Sequence, residues 1–260
     1  MNILGCFKIV SDFEQLQERD WVPDEELQIE TGFARTTWSC FDESALALML
    51  RARKFPDCVG RLDALTVGGD ECAAYIKTLY SLGFDTVTQV DAKMRQSFTV
   101  DITAEIIAQH LRKKDYSMVI MGGQSSDENN AKTHFMVAER MAWPCICDVI
   151  DFSLQSHDTI IVSNIQFGNA ATRTVRLPCV LAVGNAPNAY LRIPTLKAKL
   201  QFGNRSATKL HYKDFALSKS TEPELISLER IDRKRAAIAL NEDSLQALVQ
   251  RIYQDYIEKE

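Results

Sequence analysis

The sequence predicts an α/β protein with a three-layer architecture, in which helices cover both faces of a mostly parallel sheet. Up to Pro144, short apolar segments flanked by polar residues alternate with longer amphipathic segments, which is the pattern of strands joined by helices. After Pro144 the segments are rich in β-branched residues, so we expect antiparallel strands at the C-terminal side of the sheet. A chain of 260 residues, 46% hydrophobic and 25% charged, is long enough for one core with an appendage.

The elements of the first half follow from this alternation. A strand is predicted over residues 3–10, and a polar excursion rich in Asp, Glu and Gln covers residues 11–37. Asp42 precedes the first helix, where an Asp side chain commonly caps the N-terminus, and Gly83 stands where a glycine commonly ends a helix. The predicted elements after the excursion are a helix at 43–53, a strand at 64–67, a helix at 70–82, a strand at 86–90, a helix at 103–113 and a strand at 118–121.

The second half is predicted to add strands and then a separate tail. Strands are expected at 145–152, 159–167 and 172–183, with Gly168-Asn169 as the hairpin turn between the last two. Residues 185–200 contain two prolines and are predicted to form a loop. We expect a domain over residues 1–215 and a C-terminal arm and helix over residues 216–260, which either packs on its own domain or reaches a partner chain. The terminal helix is indicated by apolar residues at helical spacing: Leu245, Leu248, Val249, Ile252, Tyr253 and Tyr256. A basic cluster precedes it: Arg230, Arg233, Lys234 and Arg235.

The segment over residues 117–144 predicts an anion-binding site. Its strand breaks at Gly122-Gly123, where a backbone without Cβ atoms can turn sharply and approach a ligand. A polar run over residues 124–130 precedes a helix that starts near Ala131 and ends at Trp143-Pro144. At such a helix start, free N–H groups and the helix dipole face a bound phosphate. The same pattern also fits a plain connection between a strand and a helix.

Composition argues against several classes of function. The net charge of −5 is unfavourable for binding nucleic acid, and no apolar run approaches the length of a membrane span, so no membrane insertion is expected. The N-terminus has no basic residue ahead of its apolar ones, so it is interpreted as a strand rather than a signal peptide, and a cytoplasmic protein is expected. No catalytic residue is predicted, because the four histidines have no Ser, Cys or carboxylate partner at the spacing of a catalytic motif.

The seven cysteines show no disulfide spacing, so we expect free thiols in a reducing compartment. Cys145 and Cys147 alternate along a predicted strand, which places both thiols on one face. No metal site is expected, because structural zinc sites use other spacings.

Short motifs follow one another over about the first three quarters of the chain. They are Phe7-Lys8, Cys40-Phe41-Asp42-Glu43, Val67-Gly68-Gly69-Asp70, Ser81-Leu82-Gly83-Phe84-Asp85, Gly122-Gly123-Gln124-Ser125-Ser126-Asp127, Trp143-Pro144, Leu177-Pro178-Cys179-Val180 and Pro194-Thr195-Leu196-Lys197-Ala198-Lys199. In this order they resemble the beta subunit of electron-transfer flavoproteins, and the tail matches that family only loosely. The resemblance implies an adenine nucleotide α-hydrolase-like fold.

The resemblance further implies a chain that binds an adenine nucleotide and pairs with a larger alpha subunit, which the C-terminal arm would contact. The alpha subunit would hold most of a redox FAD, and this chain would hold AMP or the adenine end of a second FAD. Electrons would pass from a flavin dehydrogenase donor to a quinone-linked or other acceptor oxidoreductase. The chain would then be an electron-carrier subunit and not an enzyme, because the flavin does the redox chemistry.

The resemblance also assigns ligand contacts to individual residues. The expected cofactor-binding residues are Cys6, Ser39, Cys40, Phe41, Asp42, Val67, Gly68, Gly122, Gly123, Gln124, Ser125, Ser126, Asp127, Asn129, Asn130, Lys132, Thr133 and His134. The expected partner-binding residues are Tyr190, Leu191, Ile193, Pro194 and Lys197. The alternative for this second group is a plain surface turn in which Tyr190 and Leu191 pack into the core.

The chain departs from the family pattern at the end of the polar loop. Family members usually have Asn-Gln-Thr-Gly where this chain has Ala131-Lys132-Thr133-His134. Lys132 and His134 could add positive charge for a phosphate or pyrophosphate, or His134 could be a surface residue of the helix. The departure indicates a divergent bacterial subfamily and leaves AMP and FAD as open alternatives.

Two other classes of protein share some of these features. A stand-alone adenine-nucleotide-binding sensor or stress-type domain would have the same fold and act as a homodimer, without need of the last motif or the arm. An ATP pyrophosphatase would have a Ser-Gly-Gly-x-Asp-Ser loop after its first strand. Val67-Gly68-Gly69-Asp70 echoes that loop, but it lacks both serines and follows a later strand.

Overall fold

The computed structural model describes residues 1–55, 59–91, 100–217, 226–229, 239–240, 242 and 244–258. These residues group into two compact units, Met1–Leu225 and Ile226–Glu260. The basic cluster noted in the sequence and the thiol of Cys58 lie outside the described residues.

Eleven strands and six α-helices are described. The strands are β1 (Ile3–Cys6), β2 (Ile9–Ser11), β3 (Thr36–Trp38), β4 (Leu62–Val67), β5 (Thr86–Asp91), β6 (Met118–Gly122), β7 (Cys145–Leu154), β8 (Thr159–Gln166), β9 (Asn169–Arg176), β10 (Cys179–Val183) and β11 (Thr208–His211). The helices are α1 (Asp42–Arg51), α2 (Ala73–Leu82), α3 (Val100–Arg112), α4 (Thr133–Met141), α5 (Leu196–Phe202) and α6 (Leu245–Ile252). Short 3₁₀ segments lie at Phe13–Gln15, Glu18–Asp20, Ala52–Lys54, Asp70–Cys72 and Tyr212–Asp214, and a π turn at Tyr253–Ile257.

The first unit is built on a nine-stranded sheet with the order β11-β5-β4-β1-β6-β10-β7-β8-β9. The strands from β11 to β7 run parallel to their neighbours. β8 and β9 are antiparallel additions at one edge, and β2 and β3 form a separate antiparallel pair. The predicted sheet, mostly parallel with antiparallel strands contributed by the C-terminal side, is therefore confirmed.

The central strand β1 explains the three layers. Successive side chains of a strand point to opposite faces, so Ile3 packs in a cluster with Leu46 of α1, while Leu4 packs in a second cluster with Ile107 of α3. Both strand residues are fully buried. Parallel strands that are covered on both faces are apolar along their whole length, which accounts for the composition of β1, β6 and β10.

The strand predicted over residues 3–10 is in fact two strands, because the chain leaves the main sheet at Phe7-Lys8. The N–H of Phe7 still donates to the carbonyl of Leu65 (3.1 Å). The N–H of Lys8 instead donates to Oδ2 of Asp42 (2.9 Å), and the chain then pairs as β2 with β3. The Asp42 carboxylate thus takes the place of a backbone carbonyl of the neighbouring strand as the hydrogen-bond partner of Lys8.

The strand predicted over residues 172–183 is also divided, at the cis peptide bond between Leu177 and Pro178. β9 is antiparallel to β8, whereas β10 lies between β6 and β7 and is parallel to both. A proline cannot donate the N–H that a continuous ladder requires. The hairpin turn lies at Phe167-Gly168, one residue earlier than predicted, with positive φ at both positions.

Three elements, β3, α5 and β11, are absent from the sequence prediction. The loop predicted over residues 185–200 gives way to α5, which Thr195 caps by accepting the N–H of Ala198 on its side chain (3.2 Å). β11 forms by pairing with β5, far earlier in the chain. This pairing joins segments that are far apart in the sequence, so the local hydrophobic pattern could not predict it.

The second unit contains α6, and the predicted terminal helix is confirmed. Ser244 caps α6, since its Oγ accepts the N–H of Ala247 (3.2 Å). Leu245 and Val249 on this helix are exposed. Among the described helices of either unit, none combines the length and apolar character that a bilayer crossing requires.

Candidate functional site

A cleft opens at the carboxyl ends of β1, β4 and β6, with α3 and the loop before α4 as its other walls. The strand order reverses here, because the chain runs from β1 through β4 to β5 on one side and then returns to β6 on the other. Open α/β sheets bind ligands at this position. The cleft is open at its mouth, and about 780 Å³ of empty space lies in it, open solvent included.

The cleft collects many of the residues predicted to bind a cofactor. Those that line it are Cys6, Asp42, Val67, Gly122, Gly123, Gln124, Ser125, Asn130, Lys132, Thr133 and His134. The remaining predicted residues are not among its lining residues: Ser39, Cys40, Phe41, Gly68, Ser126, Asp127 and Asn129. Cys40 nevertheless touches the loop, since its thiol donates to the carbonyl of Gln124 (3.5 Å). Cofactor contact by either group stays a prediction.

Several lining residues escape the sequence prediction. Met121 directly precedes Gly122 in β6, and Lys8 follows the end of β1 by two residues, so their closeness to predicted residues was an available signal. The α3 residues had no such signal, because only the fold brings that helix across the cleft. The full set of these additional lining residues is Phe7, Lys8, Leu65, Val100, Thr103, Ile107, Met121, Glu128 and Ala131.

The buried carboxylate of Asp42 ties together three segments at the floor of the cleft. Its Oδ1 accepts the N–H of Gly122 (2.7 Å), and its Oδ2 accepts the N–H of Lys8 (2.9 Å). The predicted helix cap is wrong, because Asp42 is the first residue of α1 and the N-cap position belongs to Phe41, which has φ +67° and makes no side-chain cap. The carboxylate instead accepts the amides of Lys8, which lies between β1 and β2, and of Gly122 at the end of β6.

Burial dominates the electrostatics of this floor. Burial raises the pKa of Asp42 to about 7, although the hydrogen bonds from the amides of Lys8 and Gly122 oppose the shift. Burial and the Asp42 carboxylate together raise the pKa of the Cys6 thiol well above its usual range. Cys6 is therefore a neutral apolar wall and not a nucleophile.

Lys8 anchors the polar loop that follows β6. Its Nζ lies 2.6 Å from Oδ2 of Asp127 and 2.9 Å from Oε1 of Glu128, and Asn130 donates to the other oxygen of Glu128 (2.9 Å). Burial by itself would lower the pKa of Lys8, but the two carboxylates raise it by more, so the pKa lies above its ordinary value. The ammonium therefore stays charged. Because Asp127 and Glu128 already neutralise Lys8, an anion in the cleft would depend on backbone N–H groups and on the exposed Lys132.

We expect a double-mutant cycle with Lys8→Met and Glu128→Gln to give a coupling free energy of about 1 kcal/mol, because the pair is partly buried and belongs to a network. The matched control is the pair of Arg19 and Asp20, whose Arg side chain is 80% exposed and for which we expect a coupling near zero. The measurement is the free energy of unfolding in urea. Equal couplings for the two pairs would mean that Lys8 does not hold the loop.

The start of α4 faces the cleft without a side-chain cap among the described residues. Lys132 occupies the N-cap position, and Asn129 and Ala131 just before it have positive φ values of 49° and 50°. The first N–H groups of a helix have no partner inside the helix, and they attract anions together with the helix dipole. The predicted arrangement of strand, glycine turn, polar loop and helix start is thus present.

His134 lies inside the protein, with only 3% of its surface exposed, so the alternative of a surface helix residue is wrong. A nitrogen of its imidazole lies within 4.8 Å of the sulfurs of Cys145 and Cys147. The two sulfurs are 4.0 Å apart, which confirms that both thiols share one face of β7. A hydrogen bond from the Cys145 thiol, together with the nearby His134, lowers the pKa of Cys147 below its usual value against the opposing effect of burial.

The predicted partner-binding residues lie on one loop and the start of α5. Tyr190 is 75% exposed and Ile193 is 86% exposed, so the surface-turn alternative is wrong in packing Tyr190 into the core. Leu191 does pack against the core, and its N–H donates to Oε1 of Glu43 (3.2 Å). Pro194 is half-buried and Lys197 is exposed. The role of these residues in binding a partner stays a prediction.

Comparison with known proteins extends over most of the chain. A family model described as "Electron transfer flavoprotein domain" matches residues 32–206. The chain is 26% identical over 259 residues to YgcR of Escherichia coli (strain K12), whose description assigns it provisionally to the electron transfer flavoprotein subunits, and the match covers 99% of this chain and 98% of YgcR.

Two relatives described as electron transfer flavoprotein subunit beta are more distant. The one from Methylophilus methylotrophus is 21% identical over 90% of this chain and 88% of its own length. The one from Bacillus subtilis (strain 168) is 20% identical over 83% of this chain and 85% of its own length. The family match includes β4, β6 and the start of α4, and so most of the cleft.

Proposed function

The chain belongs to the electron transfer flavoprotein domain family, and we propose that it is the beta-type subunit of a heterodimeric electron-transfer flavoprotein. The observation that carries the proposal is the cleft. There β6 ends in a glycine turn, a polar loop follows, and the uncapped start of α4 faces the open space. This construction supports a nucleotide-binding role in which the chain positions a cofactor and carries out no bond chemistry of its own.

The residues of the cleft fit an adenine nucleotide. Val67, Ile107 and Met121 provide an apolar wall for a base, and the first N–H groups of α4 suit a phosphate. Gly122 and Gly123 let the end of β6 pack closely against Asp42 and Val183, which holds the polar loop at the cleft. The occupant in this proposal is AMP or the adenine end of a second FAD. A bound flavin supplies reversible electron transfer, while the residues of this chain bind it, orient it and exclude water.

The proposal includes protein partners of two kinds. The first is a larger alpha subunit that holds most of the redox FAD and contacts the C-terminal arm, and the exposed Leu245 and Val249 of α6 support an apolar contact there. The second kind is a flavin dehydrogenase donor and an acceptor oxidoreductase. The exposed Tyr190 and Ile193 next to the basic Lys197 support an apolar anchor with a charged rim for these.

We also propose that the complex works in the cytoplasm. The six described cysteines are free thiols, which suits a reducing compartment.

The test is to co-express the chain with a candidate alpha subunit and to purify the complex through a tag on this chain. The bound nucleotides are then released by denaturation and identified by chromatography and mass spectrometry. We expect a one-to-one heterodimer that releases FAD and AMP in equal amounts, or two FAD per heterodimer. The first result would identify AMP as the second nucleotide of the complex, and the second result would identify it as FAD.

The control is the chain expressed without the alpha subunit, which we expect to carry less nucleotide. A stable homodimer that ignores the alpha subunit and binds ATP would contradict the proposal. That result would favour the alternative of a stand-alone nucleotide-binding sensor or stress-type domain, although the fold would stand.

A further inference from the structure

We propose that His134, Cys145 and Cys147 form a binding site for a thiophilic cation, with Zn²⁺ as the expected ion. The proposal gives the His134 imidazole a metal ligand's role in place of the phosphate contact predicted from the sequence. It does not depend on the function proposed above, because no nucleotide and no partner subunit contributes a ligand.

The three donor atoms are close enough to share one ion. The sulfurs of Cys145 and Cys147 are 4.0 Å apart, and the imidazole nitrogen lies within 4.8 Å of both. Zinc binds sulfur at about 2.3 Å and imidazole nitrogen at about 2.0–2.1 Å, so donor atoms around a tetrahedral zinc lie about 3.5–3.8 Å apart. Small side-chain rotations close the remaining gap of about 1 Å.

Two rigid elements hold the donors. Cys145 and Cys147 lie at the start of β7, which pairs with β10 on one side and with β8 on the other. The backbone carbonyl of Cys147 also accepts a hydrogen bond from the side chain of Asn164 on β8 (3.0 Å). His134 comes from the first turn of α4, which packs on the same face of the sheet. Donors held on a strand and a helix are positioned more accurately than donors on loops.

The donor chemistry selects the kind of ion. Two sulfurs and an imidazole favour zinc and other thiophilic ions over calcium or magnesium, which prefer oxygen. Among the residues described in the structure the group comprises three donors, so a bound ion keeps a fourth position. Zinc sites with two cysteines and one histidine use that position for water or another ligand.

This site could not be predicted from the sequence alone. The spacing of Cys145 and Cys147 matches no structural zinc motif, and the third donor stands before the pair at the other end of a helix. The family pattern has a glycine where this chain has His134. The replacement of this glycine by His134, which suggested a phosphate contact in the sequence analysis, therefore supplies the third ligand of the cluster.

The main alternative for the two thiols is a redox pair. A disulfide between Cys145 and Cys147 would bring the sulfurs from 4.0 Å to about 2.05 Å, and it would release two electrons and two protons to an oxidant. It would make no use of His134. The metal site uses all three residues, and the two possibilities give different experimental results.

The test is a titration of the full chain, freed of metal by a chelator and kept reduced, with Zn²⁺ by calorimetry and with Co²⁺ by absorption. We expect one ion per chain, with ligand-field bands typical of tetrahedral Co²⁺ and a thiolate charge-transfer band that Zn²⁺ abolishes. Loss of a residue that only supports a metal ligand weakens binding about 10–100-fold. We therefore expect Cys147→Ser and His134→Ala each to weaken binding at least about 100-fold.

Matched controls keep the test specific. Cys40→Ser removes a partly exposed thiol outside the cluster, and His157→Ala removes an exposed histidine; we expect both variants to bind like the unmodified chain. Circular dichroism shows whether each variant folds, and Cys145→Ser, which nearly preserves volume, serves where His134→Ala does not fold. Zn²⁺ should raise the melting temperature of the unmodified chain and not that of Cys147→Ser.

Three results would overturn the proposal. They are the lack of one-to-one binding, binding that Cys147→Ser and His134→Ala leave unchanged, and a Cys145–Cys147 disulfide in the protein as purified that persists in the presence of Zn²⁺. Mass spectrometry detects the disulfide as the loss of two hydrogen masses. That last outcome would assign the pair to redox chemistry.

Discussion

Substitution of Gly122 by alanine is expected to abolish nucleotide binding in the cleft and to lower the free energy of unfolding by about 2 kcal/mol. An added Cβ would lie 2.7 Å from Oδ1 of Asp42, 2.9 Å from its backbone nitrogen and 2.9 Å from the carbonyl of Cys40. Because two of these atoms belong to the backbone, relief requires the start of α1 to move away from the end of β6. The measurements are the nucleotide content of the co-expressed complex and the urea unfolding curve of the chain.

The matched control for Gly122→Ala is Gly168→Ala in the hairpin between β8 and β9. Gly168 has φ +77° and nothing within 4 Å of an added Cβ, so this substitution adds backbone strain of about 1 kcal/mol without a steric contact. We expect it to leave nucleotide binding unchanged. A Gly122→Ala complex that still carries a full complement of nucleotide would show that nucleotide binding does not require the close packing of α1 against the end of β6.

Replacing Asp42 by asparagine is expected to change how stability depends on pH. Burial raises the pKa of this carboxyl from 3.8 to about 7, so the folded state holds a proton that the unfolded state has released over this interval. The stabilisation from that proton is complete below pH 4 and is lost as the pH rises through 7. We expect the unfolding free energy of Asp42→Asn, relative to the unmodified chain, to rise by roughly 3 kcal/mol from pH 4 to pH 7.

The unmodified chain must be compared with Asp42→Asn because other groups also titrate between pH 4 and pH 7. Burial lowers the pKa of His110 from 6.5 to about 4, which makes the chain gain stability as the pH rises over that interval. Around Asp42 itself, Lys8 and Asp127 are ionised through most of the window, and the thiols of Cys6 and Cys40 titrate above it.

The matched variant for Asp42→Asn is His110→Gln, for which we expect the opposite change of slope. The measurement is the unfolding free energy in urea at several pH values for the three proteins. Parallel curves for the unmodified chain and Asp42→Asn would mean that the carboxylate is ionised in the folded state throughout, because its hydrogen bonds outweigh its burial.

Most of the fold could be predicted from local sequence patterns, and the two strands predicted incorrectly have a common cause. α2 ends at Gly83 as predicted, since a left-handed C-cap is a local requirement that glycine meets. The first strand and the strand over residues 172–183 were each predicted as one element and form two. In both places the strand-like sequence continues while the hydrogen-bond partner changes, and the identity of a partner is a long-range property.

For the site, the residues of the polar loop were predicted from the sequence, and those of α3 were not. Gly122, Ser125 and Thr133 line the cleft as expected, because a glycine turn, a polar loop and a helix start follow one another in the sequence. Thr103 and Ile107 of α3 were not expected there, since a helix face carries no sign of the loop it will meet. Asp127 pairs with Lys8, a contact that the sequence did not indicate, and its contact with the cofactor stays a prediction.

The sequence by itself determined the layers, the parallel sheet and the position of the glycine turn and polar loop after β6, because apolar periodicity and glycine placement act over a few residues. Only the tertiary structure decided the partners of the buried polar groups. Asp42 accepts the amides of Lys8 and Gly122 in place of amides of its own helix, and His134 lies beside the thiols of β7. A buried polar group must find a partner wherever the packed chain brings one within reach, and that choice is made by contacts between segments distant in sequence.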